Sequence, residues 1–264
     1  MTYALKIRSS TKGAGEQEIT TNPEELVKLA SMEEDTHKFI MKYFKTHWKI
    51  LEAGCGMGRW MIYLNDLGYL MHGMDISARA IEKLKSLKPN LNLKVGDITK
   101  MPYEDGEFDA VFSDGVIEHD PEGPEKMLSE MNRVLKSEGI MIVIVPVENF
   151  LRRFLHRPLC AIRYFILRRA GRKLEFEEFR FSVSDIANRV KKSGFEILEL
   201  SHVELTDRSK SYSLCVDWGN IFKRKEGNEP FALNPPGMFI KRILASISPW
   251  IIAEGVVIAA RKLD

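Results

Sequence analysis

Acidic residues and glycines recur in this 264-residue chain directly after short apolar segments that read as strands. The first segment ends in EAGCGMG at 52–58, the second in DI at 75–76, the third in GDI at 96–98 and the fourth in SDG at 113–115. Alternate glycines let the backbone turn sharply and approach a ligand, because no Cβ stands in the way. Ligands of open α/β sheets bind beyond the carboxyl ends of the strands, so we expect these segments to line one site.

The carboxylates limit the kind of ligand that such a site can hold. Asp75 can accept hydrogen bonds from both hydroxyls of a ribose, and Asp97 with the backbone around Ile98 can meet an adenine. A dinucleotide-binding G-x-G-x-x-G loop needs a small residue where this chain has Arg59. Four acidic groups would also repel a pyrophosphate, so the pattern favours a nucleoside that carries positive charge.

Strand-like and helix-like segments alternate from residue 48 onward. The spacing predicts helices at 57–67, 77–87, 124–135 and 182–192, and strands at 48–52, 69–75, 91–95, 108–113, 140–145, 195–200 and 255–261. This alternation is typical of a doubly wound α/β fold, in which helices cover both faces of a mostly parallel sheet. The predicted domains are an N-terminal helical cap at 1–47 and a main domain at 48–264, with insertions at about 148–181 and 203–254.

Four segments carry a resemblance to a known family: ILEAGCGMGRW, GMDIS, VGDITKMPYEDGEFDAVFSDGVIEHD and MNRVLKSEGIMIVIVP. They resemble the class I S-adenosylmethionine-dependent methyltransferases, and within these the small-molecule branch called type 11. The resemblance covers residues 50–146 and, less specifically, RFSVSDIANRVKKSGFEILEL. It implies a Rossmann-like sheet of seven strands with the last one antiparallel, S-adenosylmethionine as cofactor and S-adenosylhomocysteine as its product.

The resemblance also implies roles for the residues at the strand ends. The glycine loop approaches the methionine part of the cofactor, Asp75 holds the ribose, and Asp97 with Ile98 holds the adenine. Glu52 matches the acidic residue that precedes the loop, and Asp114 lies near the amino-acid end of the cofactor. No metal site is predicted, and the full cofactor-binding set is Glu52, Ala53, Gly54, Cys55, Gly56, Gly58, Asp75, Ile76, Asp97, Ile98 and Asp114.

Methyl transfer from a sulfonium mainly requires alignment in a closed pocket, because the leaving group departs neutral. A general base is needed only when the nucleophile arrives protonated. His119 follows the fourth strand, and its unperturbed pKa near neutrality makes it the candidate base. The interpretation that the sequence favours is different: His119 packs beside the cofactor or stabilises the loop before Pro121.

The first insertion contains a segment that is both basic and apolar. Residues 149–173 include eight basic side chains and no acidic one, and Pro158 is expected to split them into two short helices. We interpret the segment first as a substrate lid packed on the sheet, second as a membrane-proximal lid, and third as an RNA contact. With an amphipathic piece at 238–247, it could wall an apolar pocket for a lipid-like acceptor. A cavity lined mainly by acidic or small polar groups would count against that hypothesis.

The composition of the chain excludes few classes of function. The net charge of +2 gives no global argument for nucleic acid or a membrane, and three scattered cysteines fit a reducing compartment. With no signal-like segment at the start, a cytoplasmic location, with peripheral membrane contact as a variant, is expected. The predicted function is methyl transfer to a small-molecule or lipid-like acceptor. The alternatives are an RNA or protein methyltransferase on the same fold, and a non-catalytic cofactor-binding sensor or partner protein.

Overall fold

The computed structural model describes residues 2–7, 22–205, 207–218, 221–224 and 231–264. Its strands are β1 (Thr2–Ile7), β2 (Lys49–Ala53), β3 (Leu70–Asp75), β4 (Asn92–Val95), β5 (Phe108–Asp114), β6 (Leu135–Pro146), β7 (Leu174–Arg180), β8 (Phe195–Val203) and β9 (Gly255–Lys262). Its helices are α1 (Pro23–Ser31), α2 (Glu34–Tyr43), α3 (Arg59–Asp66), α4 (Ala78–Leu87), α5 (Glu125–Val134), α6 (Arg157–Arg169), α7 (Val183–Lys192), α8 (Tyr212–Trp218) and α9 (Pro235–Ile247).

Seven of the strands form one sheet in the order β4-β3-β2-β5-β6-β9-β8. The five strands from β4 to β6 run parallel, whereas β9 is antiparallel to both of its neighbours. The order reverses between β2 and β5, which is where a doubly wound sheet opens a crevice for a ligand. The predicted α/β fold, including its antiparallel last strand, is confirmed.

Alternate residues of the central strands serve two separate cores. Leu51 and Val111 belong to a core that includes residues of α5 and α7, and both side chains are fully buried. The preceding residues, Ile50 and Ala110, belong to a second core with residues of α1 to α4. Since both faces are covered, β2 and β5 carry the nearly unbroken apolar runs that made them recognisable in the sequence.

Capping residues and glycines mark the ends of several helices at the positions that the sequence predicts. The Ser77 hydroxyl oxygen accepts from the Ala80 N–H at 3.2 Å, and the Ser182 oxygen accepts from the Asp185 N–H at the same distance. Gly68 and Gly194 follow α3 and α7 with φ of +87° and +84°, a backbone conformation that glycine adopts without strain. One boundary differs, because β6 already begins at Leu135, which pairs with Phe108.

The N-terminal part differs from its prediction as an all-helical cap. Residues Thr2–Ile7 form a strand that pairs antiparallel with β7 inside the first insertion. Helices α1 and α2 follow as expected, while residues 8–21 lie outside the described part of the chain. A six-residue strand gains its hydrogen bonds from a partner far along the chain, so local periodicity could not reveal it.

The first insertion also departs from the expected pair of short helices. Residues 150–169 are continuously helical, with a π-helical turn at Arg152–His156 that leads directly into α6. Pro158 is the second residue of α6, directly after the π-helical turn, so its missing N–H falls where the backbone hydrogen-bond pattern changes from π-helix to α-helix. The helix therefore passes Pro158 instead of breaking there.

Arg152 fastens this insertion to the rest of the protein. Its side chain is 2% exposed, its Nε lies 2.5 Å from the Asp217 carboxylate, and it also pairs with Glu254 before β9. By contrast, α6 has no buried residue. The prediction that the apolar face of this segment packs on the sheet is therefore wrong for α6. Among the described helices, none is long and apolar enough to cross a bilayer.

Candidate functional site

A cavity of about 1310 Å³ lies beyond the carboxyl ends of the parallel strands. All the predicted cofactor-binding residues except Ala53 line it, and His119 lines it as well. Ala53 is fully buried below the surface of the cavity, where its carbonyl oxygen accepts a hydrogen bond from the Ser113 hydroxyl at 3.0 Å. The sheet thus brings together residues that are up to 67 positions apart, from Glu52 to His119.

The glycine loop is held by the end of the neighbouring strand. The N–H groups of Gly54 and Cys55 both donate to the Met74 carbonyl, at 2.8 and 2.9 Å. The next free N–H, that of Gly56, donates to Asp75 Oδ2 at 2.7 Å. Cys55 is buried, and desolvation raises the pKa of its thiol, which does not favour a nucleophilic role.

The three glycines of the loop have positive φ values of 86°, 51° and 79° but differ in their surroundings. A Cβ on Gly54 would come within 2.4 Å of Val116, and one on Gly58 within 2.4 Å of Leu84. A Cβ on Gly56 would meet nothing within 4 Å. The first and last glycines therefore allow tight packing, whereas Gly56 leaves room for a ligand to approach the backbone.

Asp75 and Asp97 are oriented by backbone N–H groups. Asp75 accepts from the N–H of Gly56 and, through Oδ1, from the N–H of Ser77 at 2.8 Å. Asp97 Oδ1 accepts from both the N–H and the hydroxyl of Thr99, each at 2.8 Å. Each carboxylate oxygen has two acceptor positions, so both residues keep capacity for a ligand's hydroxyl or amino groups.

The Asp114 carboxylate accepts hydrogen bonds from two residues that the sequence did not predict as part of the site. The Trp60 Nε1–H donates to its Oδ2 at 2.9 Å, and Arg59 bridges Asp114 to Glu33. Burial is the main reason that the pKa of Glu33 rises to about 7. Glu33 lies just before α2, so the N-terminal helices complete the wall of the cavity. The signal available in the sequence was Arg59 itself, because a partly buried arginine directly after the glycine loop needs a carboxylate partner.

Two further carboxylates lining the cavity are almost completely buried. Glu52 is 3% exposed and Glu118 is 2% exposed, and the Oε2 atom of each has no hydrogen-bond partner among the described residues. Burial raises the pKa of both carboxyls, and the negative charge of Asp114 adds to the effect. Glu118 was not predicted as a site residue, although its place beside His119 after β5 was visible in the sequence.

His119 is exposed at the cavity and contacts the first insertion. Its Nδ1 lies 2.8 Å from the Glu177 carbonyl oxygen on β7. Because a carbonyl only accepts, Nδ1 carries the proton and donates, which leaves Nε2 as the nitrogen that can accept a proton. The contact ties the loop after β5 to β7, as the structural interpretation expects, and the role of general base stays a prediction.

The charged side chains that line the cavity are mostly carboxylates, and they stand among many apolar residues. No residue of the described segment 149–175 lines it, so α6 is not a lid over the cavity. The lining cations are Arg59 and Lys126, against a larger set of carboxylates. The lipid-like acceptor stays a prediction, and the lining carboxylates are Glu33, Asp35, Glu52, Asp75, Asp97, Asp114, Glu118, Asp120, Glu122, Glu177, Glu178, Glu204 and Glu254.

The sequence is similar to known proteins over its central third. Residues 51–143 match the family described as methyltransferase domain. Over 97 residues the chain is 31% identical to an uncharacterized methyltransferase of Synechocystis sp., covering 36% of this chain and 46% of that protein. Over 103 residues it is 34% identical to norajmaline N-methyltransferase of Rauvolfia serpentina, covering 36% of this chain and 35% of that protein. The chain thus spans less than half the length of these two relatives.

Solved structures extend the likeness to most of the fold. A SAM-dependent methyltransferase from Methanosarcina mazei superposes with a TM-score of 0.57, covering 85% of this chain and 97% of that one. The two sequences are 20% identical, so this likeness concerns the fold alone.

Proposed function

Since residues 51–143 match a methyltransferase domain and the fold is that of S-adenosylmethionine-dependent methyltransferases, we propose that the protein transfers a methyl group from S-adenosylmethionine to a small-molecule acceptor. The observation that supports this most is the meeting of the glycine loop, Asp75 and Asp97 at one cavity. Its volume of about 1310 Å³ exceeds the usual size of a pocket for one drug-sized ligand, which favours a cofactor with an acceptor over a cofactor alone.

The residues at the cavity fit the proposed cofactor. Gly56 leaves open space beside its backbone, and the unpartnered Oε2 of Glu52 favours a ligand that brings positive charge or hydrogen-bond donors. In this proposal Asp75 holds the ribose, Asp97 and Ile98 hold the adenine, and the glycine loop holds the methionine part. When bound, S-adenosylmethionine supplies a methyl group activated by a positively charged sulfur.

The task of the protein is then to align the acceptor and to exclude water. The acidic lining opposes the entry of a phosphate backbone, which argues against RNA as the acceptor. The acceptor side of the cavity is formed by the loop after β5 together with Phe176, Glu177 and Glu178 from β7. His119 supplies an acceptor nitrogen, Nε2, at the rim of this region if a proton must leave the nucleophile.

Calorimetric titration of S-adenosylmethionine into the wild-type protein and an Asp75→Ala variant tests the cofactor site. The variant loses the hydrogen bond from Gly56 that orients the glycine loop, the one from Ser77 and the acceptors for the ribose, so we expect about 10- to 100-fold weaker binding. Asp66→Ala, at the end of α3 and outside the cavity lining, is the matched control and should bind like the wild type. Equal affinity in the Asp75 variant would show that the ribose lies elsewhere.

We also propose that α6 contacts an anionic membrane surface. One side of this helix carries four exposed apolar side chains: Leu159, Ile162, Phe165 and Ile166. The last three follow Leu159 by three, six and seven positions, which is the spacing of one helix face, and all four are 56–62% exposed. The segment 149–173 adds basic side chains and no acidic one. An exposed helix with apolar and basic side chains is suited to the interface of a bilayer that contains anionic lipids.

A further inference from the structure

Glu118 is a buried carboxylate that cofactor binding leaves unused. It lies in the 3₁₀ turn Ile117–His119 directly after β5 and lines the cavity. Its Oε2 atom is buried without a hydrogen-bond partner among the described residues, and the negative charges of Glu178 and Asp114 act on it. A carboxylate buried in this way is costly unless a ligand brings a positive charge or donors to it.

The acidic neighbours of Glu118 already have cationic partners. Asp114 is bound by Arg59 and by the indole N–H of Trp60. Glu178 accepts from Arg180 Nε at 3.0 Å. Glu118 lines the cavity and differs from these neighbours because one of its carboxylate oxygens has no hydrogen-bond partner among the described residues, so this oxygen can accept from a ligand.

Aromatic side chains line the same cavity from the two insertions. Phe176 comes from β7, while Tyr212 and Phe231 come from the second insertion, where their ring centroids lie 4.5 Å apart. Aromatic faces attract cations through the ring quadrupole, and they combine with carboxylates in sites that bind ammonium groups. An anionic acceptor would be repelled by this lining, and a neutral one would leave Glu118 Oε2 without a charge partner.

We propose that the acceptor is a basic amine, and that its ammonium group binds to the Glu118 carboxylate in the cavity that the aromatic side chains also line. This inference rests on the proposed methyl transfer and names the substrate class of the same cavity. It assigns Glu118 a catalytic role, because the ammonium nitrogen that it contacts is the reacting atom.

An ammonium nitrogen has no free electron pair, so it must lose a proton before it can attack. The Glu118 carboxylate accepts this proton and becomes a neutral carboxyl group, while the amine becomes neutral. The nitrogen pair then forms a bond to the methyl carbon, the carbon–sulfur bond breaks, and its electrons stay on sulfur. The products are a methylated ammonium and a neutral thioether, and the proton on Glu118 passes to water before the next cycle.

The test uses the full chain loaded with S-adenosylhomocysteine and titrated with 2-phenylethylamine and tryptamine. The matched neutral ligand is 2-phenylethanol, which has the same ring and chain without the charge. We expect the amines to bind at least about 10-fold more tightly than the alcohol, because the alcohol cannot make a charge-assisted hydrogen bond to Glu118. With S-adenosylmethionine, mass spectrometry should detect methylated amines.

A Glu118→Gln variant separates the role of the carboxylate from that of the pocket. It should bind the amines about 10- to 100-fold more weakly and keep its affinity for S-adenosylhomocysteine. Glu125→Gln, the same change at an exposed residue in the first turn of α5, should behave like the wild type. The amine proposal is overturned if amines and alcohol bind equally, if neither binds, if Glu118→Gln binds amines normally, or if only RNA or peptides are methylated. If S-adenosylhomocysteine fails to bind before any amine is added, the proposed function fails as well.

Discussion

Replacing Glu118 by glutamine should stabilise the ligand-free protein, and the gain should grow as the pH rises. Burial, and after it the charges of Glu178 and Asp114, raises the pKa of this carboxyl well above its ordinary range. A carboxyl with a raised pKa binds its proton more tightly in the folded than in the unfolded state. Between its unfolded and its folded pKa, the folded protein therefore holds more protons, and stability falls with increasing pH. Glutamine cannot ionise, so it removes this loss.

The size of the effect follows from the unpartnered oxygen. A buried polar group without a hydrogen bond costs about 1–3 kcal/mol, and a charged group costs more. For a chain of this size, 1 kcal/mol corresponds to a change in melting temperature of about 2–4 °C. We expect Glu118→Gln to melt about 2–12 °C higher than the wild type at pH 8, with little difference near pH 4.5, where the folded wild type still holds its proton.

Thermal melts from pH 4.5 to 8 of the wild type, Glu118→Gln and Glu125→Gln would measure this. Asp114 and Glu178 are the charged groups that raise the pKa of Glu118, and both are kept in the variant together with their partners Arg59 and Arg180. A lower melting temperature for Glu118→Gln at pH 8 would refute the reasoning. A gain of equal size at every pH would refute it too, because the effect would then not come from ionisation.

Two further predictions concern the glycine loop and α6. Gly58→Ala places a Cβ 2.4 Å from Leu84 at a φ of +79°, so it should lower the free energy of unfolding in urea by about 2–4 kcal/mol. The Cβ of Gly56→Ala meets no atom within 4 Å, so this variant should lose only about 1–2 kcal/mol through backbone strain. We also expect Gly56→Ala to bind S-adenosylmethionine more weakly. A larger stability loss at Gly56 would contradict the packing argument. For α6, the chain should sediment with vesicles that contain phosphatidylserine more than with pure phosphatidylcholine, and Phe165→Ser should reduce this binding. Equal sedimentation with both vesicles would exclude the proposed surface.

The parts of the fold that the sequence predicted are those with local causes. Ser77 and Ser182 cap helices through atoms three residues away, and Gly68 ends a helix by its own backbone conformation. The apolar runs of β2 and β5 reflect burial on both faces, which depends on the layer and not on any single partner. Because parallel strands end at one edge, the placement of Asp75 and Asp97 at the cavity also followed from element order.

The parts that the sequence missed depend on distant pairings. Strand β1 exists through β7, and no periodicity in six residues indicates a partner in an insertion. The bridge from Glu33 through Arg59 to Asp114 joins three separate elements, so it required knowledge of how α2 packs. In the segment that contains α6, the mixture of apolar and basic residues predicted helix, but that composition cannot tell whether the apolar side chains meet the sheet or are exposed.

The charges of the proposed reaction explain why carboxylates line the cavity. A sulfonium and an ammonium in one cavity repel each other, and the buried carboxylates of Glu52 and Glu118 offset this repulsion. Transfer of the proton to Glu118 removes one positive and one negative charge together, and methyl transfer then moves the remaining positive charge from sulfur to nitrogen. The net charge of the cavity stays constant through both steps, so no new unpaired charge is created in a region of low polarity. An uncharged residue at position 118 would remove both the charge partner of the ammonium and the base proposed for it. We therefore expect Glu118→Gln to gain stability and to lose methyl-transfer activity.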